Sequence, residues 1–370
     1  MPVQLPPKPA PRVVSSGGPA AGGSAAGGSA VGNANANVGD AVNVNANNVG
    51  NAKNAVVNAP VPSAASAATA AAQAALPYGR LAALGAFKGF VSTPVGEVHV
   101  EVIPGKSKAG PSGARPPVVY LDGLDACGRA VPTDETVVRI DLIGQLRTLA
   151  RDVKKHGSAS VQKDIDPNDQ VTAVIGALDA LGVDKPVHIM GLSYGGMIAA
   201  LTKKAHPDRV DSLVLCSPYV HSTACGDPVR DSVYAFMTQN PWNPMGAIMY
   251  RAAARAALVG GVVTTPPELA FHAPIYGEAM VRLSMGLEGL RLSDVVKGLD
   301  NVHILSAMND VMSPHWSAQA AQKSAQSGSF SLAPPHLAMQ HDLVRMAPSL
   351  VRTFIESALS TSTSTALEQT

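Results

Sequence analysis

Residues 187–199 read V-H-I-M-G-L-S-Y-G-G-M-I-A, and few folds can accommodate that order. The apolar run 187–190 has strand character. It meets Gly191-Leu192-Ser193-Tyr194-Gly195, a G-x-S-x-G. Residues 196–205 are then rich in Ala, Leu and Met and predict a helix. A strand that turns sharply into a helix through this motif places the serine in a strained turn, with its side chain clear of the sheet. Gly191 and Gly195 follow from the same geometry, because a Cβ at either would collide with the neighbouring strand or helix. The helix starts directly behind Ser193, so its dipole and unpaired N–H groups face any oxyanion formed there. Ser193 therefore reads as a nucleophile. The competing reading is an ordinary loop, since the chain has 34 glycines.

The flanks extend this pattern. Residues 87–91 and 96–103 predict a hairpin, the second arm alternating as Val98, Val100 and Val102. Residues 117–121 and 136–140 are buried-strand runs, ending in Asp122-Gly123-Leu124-Asp125 and Asp141-Leu142-Ile143-Gly144-Gln145. Asp166 before Pro167 predicts a helix start. Val171, Val174, Ile175, Leu178 and Leu181 share one face, and Gly182 closes the helix as its C′ residue. Further strands are expected at 212–216, 301–306 and 330–332, and a closing helix at 348–359, followed by a polar tail. Strands alternating with helices at this spacing make a mostly parallel sheet covered on both faces.

Two blocks break the rhythm. Residues 1–77 are Pro-, Gly-, Ala- and Asn-rich, without aromatic residues and nearly without charge, and cannot offset the entropy of ordering their backbone. They predict a disordered extension, either a dispensable tail or a leader or tether. Residues 219–298 are too long for a loop within a compact domain and read as a helical insertion. Its methionines and aromatics, Phe236, Trp242, Phe271 and Met285 among them, serve as the insertion's own core, and some are available to line an apolar pocket.

Lys plus Arg is 28 and Asp plus Glu is 27, a formal charge of +1, which gives no electrostatic reason to expect nucleic acid or an anionic membrane as partner. Cys127, Cys216 and Cys225 form no C-x-x-C and read as buried, reduced thiols, with a bridge from Cys216 to either of the others as the alternative in an exported protein. No zinc-type ligand cluster and no run of 18 apolar residues occurs. Residues 1–8 lack the charged-then-apolar plan of a Sec signal, so a cytoplasmic location is expected, with export through the extension as the alternative.

Taken in order, these motifs resemble the α/β-hydrolase superfamily over residues 86–359. D-G-L-D resembles its H-G-x-x oxyanion loop, with Asp122 where the family usually has His. Asp141-Leu142-Ile143-Gly144 resembles the D-x-x-G after the next strand, and G-L-S-Y-G-G matches the nucleophile elbow. H-P-D-R-V followed by S-L-V-L-C-S-P matches the approach to the sixth strand. N-D-V-M-S-P resembles the acid turn, and Gln340-His341-Asp342-Leu343 resembles the histidine loop. The resemblance implies an α/β-hydrolase fold in which 219–298 forms a helical cap.

A serine hydroxyl needs a histidine to take its proton and a carboxylate to hold that histidine. The resemblance implies Ser193, Asp310 and His341 for these roles. Asp310 follows a strand at its C-terminal end, where open parallel sheets place their chemistry. After the strand at 212–216, Ser217-Pro218-Tyr219 offers no carboxylate, and Asp227 lies farther on. His341 stands seven residues before Pro348, a spacing that resembles the family's; His336, twelve before it, is the runner-up. The oxyanion donors are expected from the backbone N–H of Tyr194 and, by resemblance, of Leu124, with Asp122 and Asp125 capping the loop and turned away. The implied activity is hydrolysis of a small, apolar carboxylic ester through an acyl-enzyme, without metal or cofactor. Acyl transfer, thioester or peptide cleavage by the same triad is the nearest alternative, and a non-catalytic binding protein on the same fold is the alternative of another class.

Overall fold

A computed structural model of the 370-residue chain describes residues 78–106, 115–124, 128–157, 165–220, 279, 282–287, 289–310, 312–337 and 341–367. The N-terminal extension, Asp125, Cys127, and most of the expected cap, with Cys225, Asp227, Phe236, Trp242 and Phe271, lie outside the described residues.

Eight strands form one sheet: β1 (Phe87–Thr93), β2 (Gly96–Ile103), β3 (Val118–Leu121), β4 (Val137–Asp141), β5 (Val187–Leu192), β6 (Val210–Cys216), β7 (Val302–Ser306) and β8 (Gly328–Leu332). Their order is β1-β2-β4-β3-β5-β6-β7-β8. β1 and β2 pair antiparallel as a hairpin and β2 pairs antiparallel with β4; every other pairing is parallel. Among the described residues the helices include α1 (Gly79–Leu84), α2 (Leu146–His156), α3 (Pro167–Ala180), α4 (Tyr194–Ala205), α5 (Leu292–Val295), α6 (His315–Ser324), α7 (Leu343–Met346) and α8 (Pro348–Leu367). This mostly parallel sheet, with helices packed on it, is the fold class expected from the sequence.

The central strands are apolar on both faces because both are covered. Every residue of β3, β4, β5 and β7 is buried. On one face Tyr120, Met190, Leu192, Val214 and Cys216 pack against Val351, Phe354 and Ile355 of α8. The intervening residues Val119, Leu121, Ile189, Leu213 and Leu215 are equally buried, on the opposite face. Cys216 is the free cysteine among the described residues, and burial pushes its thiol up to about 12.

Local signals set the ends of α3. The Asp166 carboxylate accepts from the Asn168 N–H at 2.8 Å, with Pro167 in the first turn. At the far end Gly182 takes φ 71°, donates to the Asp179 carbonyl, and lets Val183 donate to the Leu178 carbonyl. That paired arrangement needs a left-handed C′ residue, which glycine supplies at no steric cost. Several elements differ from expectation. α1, α2, α6 and α7 had no counterpart in the sequence reading, and α8 continues to Leu367 where a polar tail was expected from Ser360. Ser and Thr cost a helix interior only about 0.5 kcal/mol each relative to Ala, so a helix already anchored by Val351 and Ile355 can propagate through them.

The topology fixes where chemistry can occur. From β3 the chain moves to β4 on one side, then returns to β5 on the other, so a crevice opens beyond the C-terminal ends of β3 and β5. Asp122 follows β3 and Ser193 follows β5 at that edge.

Candidate active site

Ser193 sits between β5 and α4 with φ 50° and ψ −115°, a conformation few non-glycine residues adopt. Its surroundings hold it there. Its N–H donates to the Cys216 carbonyl at 3.1 Å, and its carbonyl accepts from Gly196 at 3.0 Å and Tyr219 at 2.8 Å. The flanking glycines have no room for a side chain. A Cβ on Gly191 would lie 2.5 Å from the Gly196 Cα, and one on Gly195 would lie 2.5 Å from the Asp122 carbonyl oxygen. The start of α4 is therefore pressed directly against the loop that follows β3.

Asp310 follows β7, and its side chain is wholly buried. Its Oδ1 accepts from the backbone N–H groups of Met312 (2.8 Å) and Ser313 (3.0 Å), and its Oδ2 meets His341 Nδ1 at 2.8 Å. One oxygen thus builds the turn while the other orients the imidazole. The Ser313 hydroxyl donates to the Pro218 carbonyl at 2.6 Å, and the next residue, Tyr219, donates to the Ser193 carbonyl. A short chain of bonds consequently ties the acid turn to the serine turn. Asp310 and His341 are brought into contact. The runner-up His336 lies exposed in the 3-10 turn Pro335–Leu337.

The loop after β3 is organised by two side chains. The Asp122 carboxylate is 2% exposed and accepts from Gly123 N–H (2.9 Å), Gly128 N–H (3.0 Å) and the Tyr120 hydroxyl (3.0 Å). It caps its own loop, as expected. Arg129 Nη1 also reaches it at 2.5 Å, a partner the sequence reading missed. Burial first, and the Asp122 charge second, push the Tyr120 phenol well above its ordinary range, so it stays a neutral donor. On the other side Gln145, fully buried, donates from Nε2 to the Gly123 carbonyl at 2.8 Å. The Gly123–Leu124 peptide bond is trans, so the Leu124 N–H points opposite to the Gly123 carbonyl and away from Gln145. Gln145 thereby sets the direction of the very N–H assigned to the oxyanion hole.

Among the described residues no group of three His, Cys, Asp or Glu could hold a metal ion, and no helix is long and apolar enough to cross a membrane.

Comparisons with known proteins fall on this architecture. Residues 132–255 match a family model described as alpha/beta hydrolase fold. That stretch contains Ser193 and ends before Asp310 and His341. The homoserine O-acetyltransferases of Mycobacterium ulcerans and Mycobacterium marinum are each 34% identical over 123 residues, 31% of this chain and 31% of theirs. The pimeloyl-[acyl-carrier protein] methyl ester esterase of Neisseria meningitidis is 35% identical over 78 residues, 21% of this chain and 28% of its own. The chain thus matches less than a third of the length of these curated relatives. Among solved structures, the enol-lactonase of Burkholderia xenovorans superposes with TM-score 0.53 at 14% identity, over 74% of this chain and all of that one. A thermophilic esterase of Thermogutta terrifontis superposes with TM-score 0.51 at 15% identity, over 75% of this chain and 99% of that one. At such identities the superpositions speak to fold.

Proposed function

We propose that the chain belongs to the α/β-hydrolase superfamily and is a serine hydrolase acting on a carboxylic ester. The observation that carries this reading is the buried Asp310–His341 bond at the same sheet edge as the strained Ser193 turn. Ser193 Oγ attacks the ester carbonyl while His341 takes its proton. With Nδ1 committed to Asp310, Nε2 is the accepting nitrogen. Asp310 stabilises the resulting imidazolium and stays ionised. The oxyanion takes hydrogen bonds from the backbone N–H groups of Tyr194 and Leu124, each worth about 3 kcal/mol in the transition state. His341 then protonates the departing alkoxide, and a water activated by the same imidazole releases the acid.

Met308 and Met312 stand two residues either side of Asp310 in the chain and are 41% and 55% exposed, and we take the acyl group to be apolar on that account. The test is hydrolysis of short p-nitrophenyl esters by the full chain and by Ser193→Ala. Loss of turnover together with loss of fluorophosphonate labelling is expected; equal rates for the two proteins would overturn the assignment.

The similarity to two homoserine O-acetyltransferases favours a second reading, in which an alcohol acceptor replaces water in the second step. Hydrolysis and transfer share the acyl-enzyme and differ in what resolves it. Product analysis with a competing small alcohol separates them: ester product in excess of free acid supports transfer.

A further inference from the structure

The loop after β3 and the loop before α7 are distant in sequence yet share one buried cation. Arg129 has a side chain only 3% exposed. Its Nη1 contacts Asp122 Oδ1 at 2.5 Å and its Nε donates to Asp342 Oδ2 at 2.7 Å. Asp122 begins the loop carrying the Leu124 N–H, and Asp342 directly follows His341. We infer that Arg129 is a positioning residue that locks the oxyanion loop and the general base into one register. This inference rests on the serine-hydrolase reading above.

The two ends of the bridge are each braced. Arg139 of β4 donates from Nη1 to the carbonyls of Gly128 (2.7 Å) and Arg129 (3.2 Å), and is itself ion-paired with Glu101 of β2. The guanidinium is therefore hung from the sheet. Asp342 caps α7 by accepting from the Arg345 N–H at 3.2 Å, and its Oδ2 also meets Arg345 Nε at 3.3 Å. Asp122 accepts from Tyr120, Gly123 and Gly128. Two arginines thus face two buried carboxylates, and Arg129 contacts both. A planar guanidinium with several fixed N–H directions suits this double contact, whereas the ammonium of lysine is a compact point charge without that fork.

The consequence is specific to the transition state. The Leu124 N–H and His341 act on the same reacting centre, from elements that Arg129 joins through its two carboxylate contacts. Losing the bridge lets each loop settle separately, while Asp122 and Asp342 keep their other donors and the fold survives. Catalysis is then lost through geometry and not through substrate affinity.

The experiment measures p-nitrophenyl ester kinetics of the full chain, with active sites titrated by a fluorophosphonate. Arg129→Met should lower kcat per titrated Ser193 by about 10- to 100-fold with KM unchanged. Arg129→Lys should fail to restore it. Asp342→Asn, which keeps an oxygen to cap α7, should show the same split, and the double variant should be no slower than the slower single variant. A merely structural role would reduce the titratable fraction or the melting temperature and leave kcat per titrated site intact; that result overturns the inference. Losses that multiply in the double variant overturn it as well. Should Arg129→Met not fold, Asp342→Asn decides by the same two constants. A wild-type protein with neither labelling nor turnover defeats the serine-hydrolase reading itself, and this inference with it.

Discussion

The Gly195 Cα and the Asp122 carbonyl oxygen approach so closely that a methyl group on Gly195 would lie 2.5 Å from that oxygen. The approach joins the helix behind Ser193 to the loop after β3, the two sources proposed for the oxyanion donors. Gly195→Ala must therefore push these backbones apart. A stability loss of about 1–3 kcal/mol is expected, typical of overpacking. Ester turnover should fall about 100-fold, because the two N–H groups lose their common focus. Thermal unfolding and steady-state kinetics on one preparation check both. Wild-type turnover in a destabilised Gly195→Ala protein would show that the contact serves folding alone.

Gln145 offers a sharper test of the same loop, because it acts on one peptide plane. Its Nε2 holds the Gly123 carbonyl at 2.8 Å, and it is fully buried. Gln145→Leu keeps the volume but removes the donor, freeing the Gly123–Leu124 peptide to rotate. The expected result is a fall in kcat of about 10- to 100-fold, short of the full loss of a donor, with KM little changed. Gln145→Glu replaces the donor by an acceptor facing a carbonyl and should be worse than Leu. A Gln145→Leu enzyme with wild-type kcat would remove Leu124 from the oxyanion hole.

Asp310→Asn separates the turn-building oxygen from the histidine-holding one. If the amide oxygen keeps the bonds from Met312 and Ser313, its nitrogen must face His341 Nδ1 and donate. The imidazole then carries its proton on Nε2, the nitrogen that should accept from Ser193. Turnover should fall by about 10⁴-fold, with the fold preserved because the turn's bonds survive. Kinetics with active-site titration and a melting curve measure the two effects. A modest loss would point to another acid.

What the sequence disclosed and what it hid divide along locality. The cap of α3 by Asp166 and its termination at Gly182 depend on neighbours a few residues away, and both were readable. So was the strand–turn–helix at Ser193, whose glycines must be small for reasons the motif itself contains. Asp122 read as a loop cap, and its bonds to Gly123 and Gly128 are of that kind. Arg129 belongs to no motif, and its contact with Asp342 spans 213 residues, so only the folded sheet brings them together. α2 was hidden for a different reason. It starts at Leu146 with φ 40°, after a Gln145 whose side chain serves Gly123 and makes no cap, so no Ser, Thr, Asp or Asn marks its beginning. Its identity comes from tertiary contact: Leu149 is buried, Thr148 accepts from the His99 N–H at 2.9 Å, and Arg151 lies 4.1 Å over the Phe90 ring.

Acid stability should be governed in part by the opposite edge of the sheet. His188, at the start of β5, is 6% exposed and meets the Ser212 hydroxyl through Nδ1 at 2.8 Å. Burial lowers its pKa from 6.5 to about 4, outweighing the nearby Asp211 carboxylate; Lys203 and His303 push the same way. Between these values the unfolded chain binds the proton and the folded chain does not. Stability therefore falls as pH drops from about 6.5 towards 4, and the loss at the lower end reaches about 3 kcal/mol from this residue. His303 is shifted down as well, by burial and by Lys203, and adds in the same direction. Denaturant unfolding of wild type and His188→Asn across that range checks the assignment. The variant should show a shallower decline, with the two curves converging as the pH falls. Parallel curves would mean that His188 titrates alike in the folded and unfolded chains.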